Sequence, residues 1–185
     1  FYSFPVIWPY LISDLGMTES QLGMVSAFYF IPVAVLAIIV GRALDKYSVK
    51  NFMMIGAIIY AVGLFSLSFI NSYWSLLTIY LTILALGSIM MGNLAVSKLI
   101  ANWFDKNAGR ALGIAAIGIS FSGVMLPLIV DPLLELVGWR NVYVIFASIV
   151  FFIILPLVFF TVIDDPKAVN QVKDCLLYTS PSPRD

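Results

Sequence analysis

"LGMVSAFYFIPVAVLAIIVGRALDKYSVKNFMMIGAIIYAVGLFSLSFI", residues 22–70, holds two stretches free of Asp, Glu, Lys and Arg, 22–40 and 52–70, around a bend that carries Arg42, Asp45, Lys46 and Lys50. Each stretch is nineteen residues long, and about 20 mostly apolar helical residues cross the roughly 30 Å hydrocarbon layer of a bilayer. Residues 73–97, 111–130 and 141–163 are likewise uncharged, with Asn71 and Ser72 separating the second run from the third. Of the 185 residues, 62% are hydrophobic and 11% charged, against about 25% charged in a soluble domain. Burial in a water-soluble core cannot account for that balance. In lipid the backbone must be satisfied within a helix or a closed barrel, and these runs are too long and too uniformly apolar for the alternating strands of a barrel. The chain is therefore expected to be an all-α membrane protein.

The opening "FYSFPVIWPYLIS", residues 1–13, is apolar but only about 20 Å long as a helix, and reads as the second half of a first span cut short. The expected fold is a six-helix transmembrane bundle with its first helix truncated. Arg42, Lys46 and Lys50 share one connection, Lys98, Lys106 and Arg110 the next but one, and Lys167 and Lys173 follow the last span. Arg140 alone stands on the opposite side, with Asp14, Glu19, Asp131 and Glu135. Because Lys and Arg concentrate on the cytoplasmic side, the turns at 41–51 and 98–110 are expected in the cytoplasm, as are both ends of the bundle. The implied location is integral and multi-pass, in the plasma membrane, with the lipid bilayer as first partner.

Local signals refine this outline. Thr18 and Gln21 have the spacing of a capping box that would start the second span. Trp74, Trp103 and Trp139 fall at expected water boundaries, where indole keeps its N–H wet; Trp8 does not. Small residues recur four apart at Gly23/Ala27, Ala37/Gly41, Ala57/Ala61, Ser88/Gly92, Gly109/Gly113 and Gly118/Ser122, a spacing that lets helices approach closely in lipid and predicts a tight bundle. Pro127, Pro132 and Pro156 are candidate kinks. After "TVIDDPKAVNQVK" the chain changes to the Ser/Pro-rich "DCLLYTSPSPRD", residues 174–185, expected to be a non-native tail because it resembles translated vector sequence.

Several function classes are excluded by composition. Net charge is zero, His is absent and Cys175 is the single cysteine, so neither a disulfide framework nor a His/Cys metal site can form. No phosphate loop or nucleophile–base spacing occurs, and no basic stripe suits nucleic acid. The reading is no enzyme, no cofactor, no metal and no nucleic-acid partner.

"GRALDKYSVK", residues 41–50, resembles the G-x-L-x-D-[RK]-x-G-[RK]-[RK] signature of the major facilitator superfamily of transporters. Gly41, Asp45, Lys46 and Lys50 match it, whereas Ala43 stands for Leu, Ser48 for the turn Gly and Val49 for a frequent cation. A second stretch, "NWFDKNAGRALGIAAIGISFSGVMLPLIVDPLLELVGWR", residues 102–140, resembles the monocarboxylate-porter and oxalate/formate-antiporter-like branches. Trp103, Phe104, Gly109, Arg110, Gly113, Gly118, Gly123, Pro127, Gly138, Trp139 and Arg140 carry that likeness. The resemblance implies that residues 1–165 form the amino-terminal half of a twelve-helix carrier and that 166–173 begin its cytoplasmic central loop. It further implies secondary active transport of a small solute by alternating access, with a second half as partner and an organic anion such as a monocarboxylate as substrate. Gly41, Asp45, Lys46, Lys50 and Arg110 would form the gating patch that latches the halves together. Two other functions fit the same residues, an efflux carrier for amphipathic compounds and a non-transporting six-helix scaffold or sensor.

No complete span contains an ionisable residue, so this half offers no midplane carboxylate for proton coupling. Trp8, Tyr29, Asn93, Ser97 and Ser120 are the candidates for a substrate cavity. Each also has a plainer use: aromatic packing for Trp8 and Tyr29, an interhelical hydrogen bond for Asn93, and bonding back to the preceding turn for Ser120 and Ser122. Asn93 is expected to share a helix face with Leu86, Met90 and Ser97. Lys98 either snorkels to the interface or meets a substrate anion. Asp164 and Asp165 read as a solvated terminus.

Overall fold

A computed structural model of the protein describes residues 4–166. The stretch 174–185 and residues 167–173 of the expected central loop lie outside them, as do Lys167 and Lys173. The described chain forms five helical runs: α1 Phe4–Leu15, α2 Glu19–Leu44, α3 Val49–Leu67, α4 Tyr73–Trp103 and α5 Ala108–Thr161. The last four are long and apolar enough to cross a membrane. Helix α1 buries Phe4, Ile7 and Leu11, the three- and four-residue spacing of one helix face.

Helix α2 begins on the expected capping box. The Gln21 N–H donates to Thr18 Oγ1 at 3.2 Å and the Thr18 N–H to Gln21 Oε1 at 2.9 Å. Ser72 and Ser75 form a second box at the start of α4. The helices run further than the uncharged stretches do, so Gly41 and Arg42 belong to the last turns of α2 and Lys98 to α4. The connections shrink accordingly to residues 45–48 and 104–107.

Helix α5 contains 54 residues and would extend about 81 Å if straight. It cannot be straight, because the Trp103 indole N–H, just before its start, donates to the carbonyl of Ile163, just past its end, at 2.7 Å. The reversal is at Gly138, whose φ of 77° and ψ of 159° lie in a region that essentially only glycine enters. Two antiparallel arms result, residues 108–137 and 139–161. Pro127 and Pro132 sit inside the first arm without interrupting its helical φ/ψ. Pro156 follows a widened π turn at Val150–Ile154, which eases the clash between a proline ring and the carbonyl four residues earlier.

Hydrogen bonds define the two ends of the bundle. At one end Lys98 meets Asp45, Trp103 meets Ile163 and the Lys50 N–H meets Asp164. At the other, Trp139 meets Asp14 and Arg140 meets Ser68 and Ile70. Arg42, Lys46, Lys50, Lys98, Lys106 and Arg110 all cluster at or near the first end. Among the described residues the second has Arg140 alone.

Arg140 has a local reason to be there. Its Nη1 donates to the carbonyls of Ser68 and Ile70 at 3.2 and 3.1 Å, closing the carboxyl end of α3, and its guanidinium stacks 4.2 Å from the centre of the Trp139 ring. A cation at a helix carboxyl end satisfies bare carbonyls and opposes the dipole. Trp139 itself is 3% exposed and donates to Asp14 Oδ2 at 2.7 Å, and Trp103 donates to a backbone carbonyl. Of the three tryptophans expected to keep a wet N–H, only Trp74, 71% exposed, sits as foreseen, because the other two found protein acceptors.

Helix α3 lies between α4 and the second arm of α5, while α2 packs on α4. The α3–α4 crossing is close. A Cβ on Gly56 would lie 2.7 Å from Met90 Cβ, and one on Gly87 2.7 Å from the Tyr60 nitrogen. Large apolar side chains such as Phe30, Ile31, Ile38, Ile117, Phe121 and Phe152 remain exposed, as expected of surfaces solvated by lipid or covered by further protein.

Candidate functional site

The bend between α2 and α3 is built from helix ends. Asp45 is the carboxyl cap of α2, its N–H donating to Gly41 O at 3.3 Å. Ser48 takes φ −59°, so the turn needs no positive φ, and its Oγ accepts the Asn51 N–H at 3.2 Å as the amino cap of α3. The serine that replaces the signature glycine thus starts the next helix.

Across the bend, Lys98 Nζ donates to Asp45 Oδ1 at 2.5 Å, tying α4 to the end of α2. Lys98 therefore neither merely snorkels nor points into the interior. The side chains are 35% and 66% exposed, which limits such a pair to about 0–1 kcal/mol. Lys50 lays its ammonium 4.9 Å from the Phe159 ring centre, and its backbone N–H donates to Asp164 Oδ1 at 2.7 Å. Asp164 is thus more than a solvated terminus, since it satisfies an orphan N–H in the first turn of α3. Asn102 Nδ2 also holds the Asp164 carbonyl at 3.1 Å. Of the expected gating residues, Gly41, Asp45 and Lys50 share this cluster, while Lys46 and Arg110 are exposed beside it.

A half-open cavity of about 180 Å³ lies between the helices, lined by Tyr29, Tyr60, Tyr80, Tyr143, Phe146, further aliphatic side chains and, at its edge, Phe4, the first described residue. All five helical runs contribute to its wall and no charged residue does. Tyr29 donates to Ser88 Oγ at 2.6 Å. Its ring meets Tyr80 edge-on at 6.2 Å, and Phe4 lies 4.6 Å from Tyr80. The Tyr143 hydroxyl neighbours that of Tyr80, yet no hydrogen bond of good geometry satisfies it.

The expected cavity residues separate. Tyr29 lines the cavity. Trp8 packs edge-on against Phe4 at 6.0 Å, with its indole N–H buried and unpartnered among the described residues. Asn93 and Ser97 are exposed on α4 beyond Gly92, where ψ of −152° interrupts the helix. That break also separates Asn93 from buried Met90, so the expected common face does not persist. Ser120 is exposed on the first arm of α5, in a shallow groove with Gly113 and Phe121. Tyr60, Tyr80 and Tyr143 were not singled out in the sequence. Their signal was available, because a phenol well inside an apolar span needs a partner.

The model of the Major Facilitator Superfamily matches residues 1–177. The chain belongs to the major facilitator superfamily. Its relatives include "MFS-type transporter 1" of Ophiocordyceps sp. (strain BCC 1869), 27% identical over 140 residues, or 76% of this chain and 31% of that protein. The sialic acid transporter NanX of Escherichia coli (strain K12) is 30% identical over 72% of this chain and 33% of its own length. The riboflavin transporter MCH5 of Saccharomyces cerevisiae (strain ATCC 204508 / S288c) is 26% identical over 59% and 21%. The chain spans about a third or less of the length of these relatives. Membership makes it an integral, multi-pass membrane protein of a transporter family and not an enzyme. The relatives' names are mixed in substrate and do not single out the monocarboxylate branch.

Proposed function

We propose that the chain is the amino-terminal half of a secondary transporter that moves a small solute by alternating access, with six helical segments counted across the break at Gly138. The observation that carries this reading is the antiparallel return of α5, which brings Trp103 to Ile163 and leaves the cationic bends on one side. That side is the cytoplasmic face of a plasma membrane, and Gly41, Asp45, Lys46, Lys50 and Arg110 form its gating patch against a second half. Carriers of this kind rock two such halves around a central site.

Two substrate classes remain from the sequence. A small organic anion, such as a monocarboxylate, requires a cation, and none of the described residues that line the cavity supplies one. The anion reading therefore requires cations from outside the described residues. An uncharged or amphipathic solute requires none, and the tyrosine-rich interior favours that class.

The test is flux into proteoliposomes containing the complete protein, with a panel of carboxylates and neutral aromatic compounds. Saturable flux of the neutral compounds, inhibited poorly by carboxylates, is expected. Saturable monocarboxylate flux that the neutral compounds do not inhibit would overturn the substrate class. Absence of any saturable flux from folded protein would overturn transport. Residues 1–173 alone are expected to give no uptake, since they provide one wall of the pathway.

A further inference from the structure

We propose that α4 is a two-state helix, broken at Gly92 in the arrangement described above and continuous in a second, and that residues 93–103 move between the two as a gate at the cation-rich end of the bundle. The gating consequence rests on the transporter reading; the two states of the helix do not.

The break requires glycine. Gly92 takes φ −86° and ψ −152° between segments that are helical on both sides. A Cβ there would lie 2.3 Å from the Ser88 carbonyl oxygen, well inside contact distance. That clash belongs to the broken form. In a continuous helix alanine meets no such obstacle and is favoured over glycine, so one substitution opposes one state and supports the other.

The two sides of the break are held differently. Before it, α4 is fixed by backbone packing, since neither Gly56 against Met90 nor Gly87 against Tyr60 leaves room for a Cβ. Ser88 is engaged there too, accepting from Tyr29 and donating to the Ala85 carbonyl. After the break, Ala95 alone of eleven residues is buried. Polar contacts at the bundle end hold this piece: Lys98 to Asp45, Asn102 Nδ2 to the Asp164 carbonyl at 3.1 Å and Trp103 Nε1 to the Ile163 carbonyl at 2.7 Å. They join α4 to the end of α2 and to the chain just past α5. Straightening α4 redirects residues 93–103 as a unit and breaks these contacts. It also restores helical hydrogen bonds across Gly92, where lipid offers no substitute partner. Exchange of one set of hydrogen bonds for another keeps two such states close in energy.

The complete protein in lipid nanodiscs, its native cysteines replaced and spin labels placed at Thr78→Cys and Ala101→Cys, would be followed by pulsed electron resonance. Both positions are exposed and lie about 35 Å apart on a continuous helix. Two distances are expected, the longer near that value. Gly92→Ala should shift the population toward the longer one by about tenfold or more, as overpacking of the broken form requires. Trp103→Phe, which removes one neutral hydrogen bond from the tied piece, should shift it about fivefold. Gly113→Ala, where a Cβ meets nothing within 4 Å, should leave it unchanged. Should Gly92→Ala fail to fold, the contrast between Trp103→Phe and Gly113→Ala decides. The shorter distance retained in folded Gly92→Ala, or a Trp103→Phe population equal to that of the parent protein, would overturn the two-state helix. In proteoliposomes Gly92→Ala should slow turnover about tenfold, because the closed form becomes the minor state. Unchanged turnover alongside a shifted distance would overturn the gate. Failure of the transporter reading would appear separately, as absent flux from the parent protein with the distance shift intact.

Discussion

Glycines at the α3–α4 crossing and on the first arm of α5 look alike in sequence and differ completely in surroundings. At the crossing, a Cβ on Gly63 would lie 2.9 Å from Leu84 Cδ2, and those on Gly56 and Gly87 would meet the opposite helix at 2.7 Å. On α5, Cβ atoms at Gly109, Gly113 and Gly118 would meet nothing within 4 Å. Small residues at helical spacing mark where a backbone could be approached. Only a partner turns that opportunity into packing.

The sharpest way to break this comparison is to add bulk on both sides. Gly56→Leu must push against the Met91 backbone nitrogen, 2.9 Å from the added Cβ, and should cost about 3 kcal/mol or more, at the upper end of overpacking effects. Gly113→Ala should be neutral or stabilise by up to about 1 kcal/mol, through helix propensity alone. Unfolding midpoints in mixed micelles would measure both. A loss at Gly113 as large as that at Gly56 would show that the first arm of α5 is packed in the complete protein.

The two ends of α3 give a smaller contrast. Its carboxyl end is closed by a charged donor, Arg140, and its amino end by a charged acceptor, Asp164. Arg140→Gln removes bonds to two carbonyls and the stacking on Trp139, and should destabilise by about 2 kcal/mol. Asp164→Ala leaves the Lys50 N–H to water and should cost about 1 kcal/mol. Urea or detergent unfolding of both variants ranks them; the reverse order would mean that the amino end is the less hydrated of the two.

Inside the bundle the effect should be smaller again. Tyr29→Phe deletes one hydrogen bond, to Ser88, and such bonds between membrane helices average about 0.6 kcal/mol. A loss above about 2 kcal/mol would mean that Tyr29 and its tyrosine neighbours act as one network and not as separate bonds.

What the sequence made legible is what local chemistry determines. Uncharged runs placed the helices, Thr18 with Gln21 placed the start of α2, and the Lys and Arg asymmetry separated the two ends. Contacts between distant residues were not legible. The uncharged run 111–130 stopped short of Asp131, yet the helix continues to Val137 because Gly138 performs the reversal. Trp139 looked like an interfacial anchor until Asp14, 125 positions away, accepted its N–H. The tyrosines that share a cavity come from four different runs, and no spacing along the chain relates them. Ser48 could have been read correctly, since serine is a common amino cap and Asn51 stands three residues on.

The smallest change in stability is expected at the residue with the strongest sequence signal. Asp45 and Lys98 form a half-solvated pair, so Asp45→Asn should alter stability by about 0.5 kcal/mol or less, with added salt reducing even that. If the bend latches one conformation of the complete transporter, the same substitution should slow turnover in proteoliposomes while leaving substrate affinity unchanged, because the carboxylate touches α4 at the bundle end and not the cavity. Reduced affinity at equal turnover would place Asp45 in the binding of solute instead. A stability loss above about 2 kcal/mol would make the pair part of the fold, like Gly56, and remove the reason to regard it as a movable contact. The comparison therefore extends to function: close backbone packing resists change, whereas an exposed ion pair at a helix end can open and re-form at little energetic cost.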